Sequence, residues 1–150
     1  MDKNDQLLIT LRSWVEVFMR LSMRQLMQYS RESGLSMQQI RALFHIHDCP
    51  RGITNIGEHL GITKAAASQM IDKMVEQGFI TRVEDPQDRR SKSITLTEKG
   101  LLAMQKSLEA REGWLEHLAA SFSASDKDHV AQSLSVLVNK ARQLETETPQ

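Results

Sequence analysis

The densest cluster of chemically capable side chains is Asp85-Pro86-Gln87-Asp88-Arg89-Arg90-Ser91-Lys92, in which three cations fall within four residues beside two carboxylates. Asp, Pro, Gln and Ser accept tight backbone geometry and suit a solvated turn. Arg89, Arg90 and Lys92 at the tip of such a turn suit something further, a probe for the groove of a polyanion. A second set is Lys64, Ala65, Ala66, Ser68, Gln69 and Lys73. Ser68 and Gln69 can donate and accept at base edges, Lys64 and Lys73 can meet phosphate, and Ala65 or Ala66 can touch a thymine methyl.

Catalytic chemistry finds no comparable set. The sequence has no phosphate-cradling Gly loop, no HExxH and no nucleophile elbow, and the adjacent Glu58 and His59 do not make an acid-base site. His45, His47, His59, His117 and His129 are scattered, and on a helix His45 and His47 point apart. No metal and no cofactor is expected, and the chain does not read as an enzyme. The single cysteine, Cys49, excludes an internal disulfide and reads as a buried structural thiol.

The elements that must position these residues follow from apolar spacing. Leu7, Leu8, Leu11, Trp14, Val15, Phe18, Leu21, Leu26 and Tyr29 predict a long helix from Gln6 to about Arg31, stopped by Gly34, with a stripe wide enough to be buried on two sides. Ser36 and Gln39 have the spacing of a capping box inside a Leu35–Ile40 staple, so a second helix starts there and breaks at Asp48 to Gly52. Thr54 is expected to cap a helix over Asn55–Leu60, Gly61 to turn the chain, and Thr63 to cap a helix over Lys64–Gln77 that buries Ala67, Met70, Ile71, Met74 and Val75. Phe79–Val83 and Ser93–Leu96 predict an antiparallel hairpin whose tip is the opening octet. Thr97 should cap a helix from Glu98 to about Phe122 with a weak point at Gly113, and Ser123, Ser125 and Asp128 should open a last helix carrying Val130, Leu134, Leu137, Val138, Ala141 and Leu144.

Nineteen basic residues balance nineteen acidic ones, so a nucleic-acid surface must be a local basic feature on a neutral body. Glycine and proline are scarce and few segments are β-branched, which predicts a mostly α fold with one small β-hairpin. No apolar run is long enough to span a bilayer, and the polar start MDKNDQ does not read as a secretory signal, so a cytoplasmic protein without membrane contact is expected.

Helix, helix, Gly turn, helix and hairpin is the order of a winged helix-turn-helix, in which Lys64 to Lys73 would be the helix that enters the major groove. The stretch ITNIGEHLGITKAAASQMIDKMVEQGFITRVEDPQDRRSKSITLTEKG resembles the core of MarR-type bacterial transcriptional regulators, most specifically in DPQDRR followed by ITLTEKG. The resemblance implies a homodimer held by N- and C-terminal helices, residues 1–34 and 98–150, around a DNA-binding part at 35–97. It implies a near-palindromic double-stranded operator, with Asp88 bracing the wing, Arg90 in the minor groove, and Arg89 and Lys92 near phosphate. It further implies a repressor released by a small effector, often aromatic or anionic, for which Trp14, Phe18, Met37, Phe44 and Trp114 are the candidate lining. The competing reading is a winged-helix protein that acts through protein contacts without DNA.

Overall fold

The computed structural model describes residues 2–48, 53–84 and 92–147. Along the chain come α1 (Lys3–Ser33), α2 (Met37–Asp48), α3 (Ile53–Leu60), α4 (Lys64–Glu76), β1 (Ile80–Glu84), β2 (Lys92–Leu96), α5 (Glu98–Glu112), α6 (Trp114–Ser121) and α7 (Ala124–Glu147). The fold is mostly α with one small antiparallel hairpin, as the composition predicts.

Helix boundaries follow local chemistry. α1 ends at Gly34, whose φ of 72° is the left-handed geometry that glycine adopts without a Cβ penalty. The capping box then starts α2: the Ser36 N–H donates to Gln39 Oε1 at 2.9 Å, and the Gln39 N–H donates to Ser36 Oγ at 3.2 Å. Both staple residues, Leu35 and Ile40, are buried. α3 begins at Ile53, two residues earlier than expected, so Thr54 lies inside its first turn and is not its cap. First-turn N–H groups have no intrahelical acceptor in any case, so an early start sacrifices no backbone bond. Thr63 does cap α4, its Oγ1 accepting from the Ala66 N–H at 3.2 Å.

Two further boundaries differ from expectation in detail. The helix expected from Glu98 to Phe122 is interrupted at Gly113, and α5 and α6 are separate. α7 opens at Ala124, with Ser123 as the capping residue: its Oγ accepts from the Asp126 N–H at 3.2 Å and donates to Asp126 Oδ2 at 2.7 Å. The box is therefore Ser123–Asp126, and the Ser125–Asp128 pair falls within the helix.

The chain forms two compact units, Met1–Glu112 and Gly113–Gln150. In the first, Leu35, Ile40, Leu43, Ile46, Ile56, Ile71, Met74, Ile80 and Ile94 form a core to which every element from α2 to β2 contributes. α5 packs along α1 and closes on this core through Ala103 and Met104. β1 pairs with β2 from Ile80↔Leu96 to Glu84↔Lys92; Ile80 and Ile94 are buried, Thr81 is exposed on the other face, and Arg82 shares the face of Ile80 and Ile94 but lies far enough along the hairpin to stay exposed. In the second unit, α7 leaves Leu134, Val136, Val138 and Leu144 exposed. α1 likewise exposes Leu7, Leu8, Ile9, Val15, Met19, Met23 and Met27.

Candidate nucleic-acid interface

α4 is seated by one face and free on the other. Ala67, Ile71 and Met74 are fully buried and Met70 and Val75 partly so, the stripe expected from their spacing. Lys64, Ala65, Ala66, Gln69, Asp72 and Lys73 are exposed and Ser68 is half-buried, so every residue proposed from sequence for a reading face lies outside the core. Gly61 makes the approach to α4 possible with φ 67°, and the Ile62 N–H donates to Gly57 O at 3.0 Å to close the turn. A Cβ on Gly57 would meet Ile62 O at 3.3 Å and Ala67 Cβ at 3.4 Å, so the α3–α4 approach is close.

The far end of α4 is tied to its neighbours by several polar contacts. Gln77, the C-cap, accepts at Oε1 from Nε2 of the buried Gln39 (3.2 Å) and at its carbonyl from Lys99 Nζ (2.7 Å). Lys99 Nζ also sits 4.5 Å above the Phe79 ring, a cation–π position. The Thr97 hydroxyl donates to Gly78 O at 2.7 Å and lies 3.1 Å from Phe79 O, while the Thr97 N–H donates to that same carbonyl at 3.1 Å. Thr97 Oγ1 also accepts from the Gly100 N–H, capping α5 as expected. One exposed ion pair crosses from helix to hairpin, between Arg82 Nη2 on β1 and Asp72 Oδ1 on α4.

Asp88, Arg89 and Arg90, together with Asp85 and Pro86, lie outside the described residues, as does Cys49. Lys92 is described only as the strand partner of Glu84 at the tip end of the hairpin.

The candidate effector residues divide among different environments. Met37 and Phe44 pack against the core cluster, whereas Trp14 and Phe18 form a tilted ring pair at 6.1 Å on α1. Trp114 is buried at the start of the second unit. A cleft of about 380 Å³ lies elsewhere, between α1, the start of β1 and α5, lined by Tyr29, Glu32, Leu35, Phe79, Lys99 and Lys106 among others. Burial pushes the Tyr29 phenol above its usual 10.0, opposed by a Ser33 hydrogen bond, and its hydroxyl donates to Ala103 O at 3.0 Å. Sequence spacing had marked Tyr29 only as a core residue, and nothing local marked Lys99, because its partners are 20 and 22 residues away.

His45 and His59 stack at 4.0 Å, and His47 pairs with Asp48 instead. Among the described residues no group of three or more His, Cys, Asp or Glu could hold a metal, and no helix is long and apolar enough to cross a membrane.

The MarR family model matches residues 33–91, which run from the last residue of α1 to the residue before β2. The Bacillus subtilis (strain 168) HTH-type transcriptional regulator YkoM, itself uncharacterized, is 30% identical over 113 residues, covering 75% of this chain and 71% of YkoM. The chain belongs to the MarR family. The transcriptional repressor MprA of Escherichia coli K12 is also 30% identical, over 86 residues that make up 57% of this chain. This MarR-family chain spans about half (49%) of MprA's length. In fold it is similar to the transcriptional regulator Tm0710 from Thermotoga maritima, with a TM-score of 0.80 at 21% identity over 96% of this chain and 99% of that one.

Proposed function

We propose that this MarR-family chain is a dimeric, sequence-specific DNA-binding transcriptional regulator, acting as a repressor that a small effector releases. The observation that carries the reading is α4: buried on one side, it leaves Lys64, Ala65, Ala66, Ser68, Gln69 and Lys73 out of the core, beside a hairpin that leads to Asp88, Arg89, Arg90 and Lys92. In the proposed complex the first turns of α4 meet base edges in the major groove, and Arg90 enters the adjacent minor groove with Asp88 bracing it. Arg89 and Lys92 attract phosphate. The relatives carry the names of transcriptional regulators, which supports this reading over one confined to protein contacts and over an enzyme.

Self-association is the second part of the proposal. Val15 and Met19 on α1, at 56% and 53% exposure, and Val136 and Leu144 on α7, at 64% and 65%, are large apolar side chains left in solvent in the single chain. A second copy would remove them from water at roughly 25 cal/mol per Å². Two copies would then present two α4 helices to half-sites about 10 base pairs apart, on a near-palindromic operator.

The cleft at Tyr29, Glu32, Phe79, Lys99 and Lys106 is the proposed effector seat in place of a lining by Trp14, Phe18, Met37, Phe44 and Trp114. Its apolar floor and two lysines suit an aromatic or anionic molecule. Binding there would draw Lys99 from Gln77 O, at the C-cap of α4.

Selection of bound fragments from random DNA tests the first part directly. The expected outcome is an enriched inverted repeat whose affinity falls steeply with salt, since lysine and arginine contacts release counterions. No enrichment, or a flat log–log salt slope, would overturn the DNA reading and favour protein contacts. Light scattering should give the mass of two chains.

A further inference from the structure

α4 carries a carboxylate where a DNA-facing helix should avoid one. From Lys64 to Lys73 the helix reads KAAASQMIDK, and Asp72 is the single acid in that run. Its side chain is exposed, one turn on from the exposed Gln69. Left alone, this charge would repel phosphate and cancel one of the two lysines that bracket the face. It is not alone, because Arg82 on β1 reaches across to it.

The pair contributes little as a structural tie. Asp72 and Arg82 side chains are 52% and 36% exposed, and ion pairs so open to water contribute little to stability, roughly 0–1 kcal/mol. The joint between α4 and β1 is already secured. The Phe79 N–H donates to Met74 O at 3.0 Å, Thr97 binds the Gly78 and Phe79 carbonyls, and Met74, Phe79 and Ile80 are buried. What the pair changes most is therefore the charge presented beside α4.

We infer that Arg82 acts as a charge mask for Asp72: it is a positioning and electrostatic partner within the DNA-facing surface, and its contribution to DNA affinity is to cancel that carboxylate. The inference rests on the reading of α4 and the hairpin as the DNA-binding face. It differs from a phosphate-contacting arginine, whose removal costs affinity whatever stands at position 72. It differs equally from a mechanical clamp, whose loss is the same whichever partner is removed.

The three roles separate in four proteins: wild type, Arg82→Ala, Asp72→Asn and the double variant, each titrated with the operator selected by the wild type. Masking depends on the sum of the two charges, so Arg82→Ala should weaken binding by about tenfold, the scale of a single interfacial charge change at low salt. Asp72→Asn should bind as tightly as wild type or tighter. The double variant, with the wild-type charge sum, should return to within about threefold of wild type. These differences should shrink as salt is raised, because exposed charges are screened beyond about 8 Å at physiological ionic strength.

A double variant no better than Arg82→Ala overturns the inference and makes Arg82 a direct contact. Equal losses in all three variants overturn it in favour of a clamp. Coincident urea transitions for the four proteins confirm that the comparison is among folded molecules, and a common, large loss of stability would itself be the clamp result. If the wild type selects no DNA, the parent reading has failed, an outcome distinct from a wild type that binds with an unrescued double variant.

Discussion

Gly100→Ala sets helix propensity against packing, and the structure decides the sign. Gly100 is in the first turn of α5, where alanine should be favoured over glycine by about 1 kcal/mol. A Cβ built there, however, falls well inside contact distance of the Phe79 carbonyl oxygen, within 3.1 Å of the Phe79 carbonyl carbon and 3.4 Å of Leu96 Cβ. The obstacle is backbone, which cannot swing aside as a flexible side chain would. α5 would have to retreat, and the retreat would stretch the two polar contacts that Thr97 makes with Phe79 O, at 3.1 Å each. Losing these at about 1 kcal/mol apiece, together with overpacking of about 1–3 kcal/mol, outweighs the propensity gain. The net expectation is a destabilisation of about 2–4 kcal/mol, or roughly 4–16 °C in Tm for a chain of this size. Urea unfolding followed by circular dichroism measures it, and a lower midpoint at unchanged slope is the expected form. A Gly100→Ala protein as stable as wild type, or more stable, would refute the close approach of α5 to Phe79.

The other expectations are more local. Thr63→Ala removes the acceptor for the Ala66 N–H and should cost about 1 kcal/mol of stability, read from the same urea curves, and Thr63→Ser should restore most of it. Tyr29 gives a pH signature. Its phenol is raised above 10.0 by burial, so its contribution is intact below the unfolded-state value and is lost as pH climbs through the folded-state value. Stability should thus decline from about pH 10 upward, and Tyr29→Phe should flatten that part of the profile in thermal melts. Arg90→Ala should weaken operator binding by about 1–3 kcal/mol with the scattering mass unchanged, and undiminished affinity would remove Arg90 from the minor groove.

Much of this fold was legible in the sequence because its punctuation is chemical and local. Gly34, Gly61 and Gly78 all have φ near +70°, and Ser36–Gln39, Thr63 and Thr97 all cap as their types suggest. The start of α3 was misplaced, at Ile53 and not after Thr54, whereas at the start of α7 Ser123, one of the two serines expected there, is the cap. The Ser123–Asp126 box wins because both of its bonds form, from hydroxyl to carboxylate and from amide to hydroxyl. The tertiary half of the site was not legible. Asp72 and Arg82 sit on different elements, and Lys99 meets Phe79 and Gln77 only because α5 folds back over the end of α4. Periodicity identifies which side of a helix is buried, but it carries no information about which distant cation will lie over it. For the same reason aromatic and methionine residues at helical spacing, such as Met37 and Phe44, were candidates for a pocket and are found against the core cluster.

The contacts around Gln77 bear on how the two halves of the proposed function can be joined. Four groups from Thr97 to Gly100 hold the segment Gln77–Phe79 that follows α4: the Thr97 hydroxyl and amide, the Lys99 ammonium, and the Gly100 backbone pressed on Phe79. Gln39 adds a fifth hold from α2. Such a joint has little freedom to hinge, so a displacement of α5 must move the C-terminal end of α4 with it or break several hydrogen bonds at about 1 kcal/mol each. The cleft lies on this joint, with α1 as its opposite wall, and Lys99 belongs to both. An occupant that prises α5 from α1 would therefore act on α4 through a stiff connection. Coupling of this kind requires the differential contacts to be made by the ligand itself. Lys99 is the residue through which an anionic ligand would make them, since its ammonium lines the cleft and already holds Gln77 O.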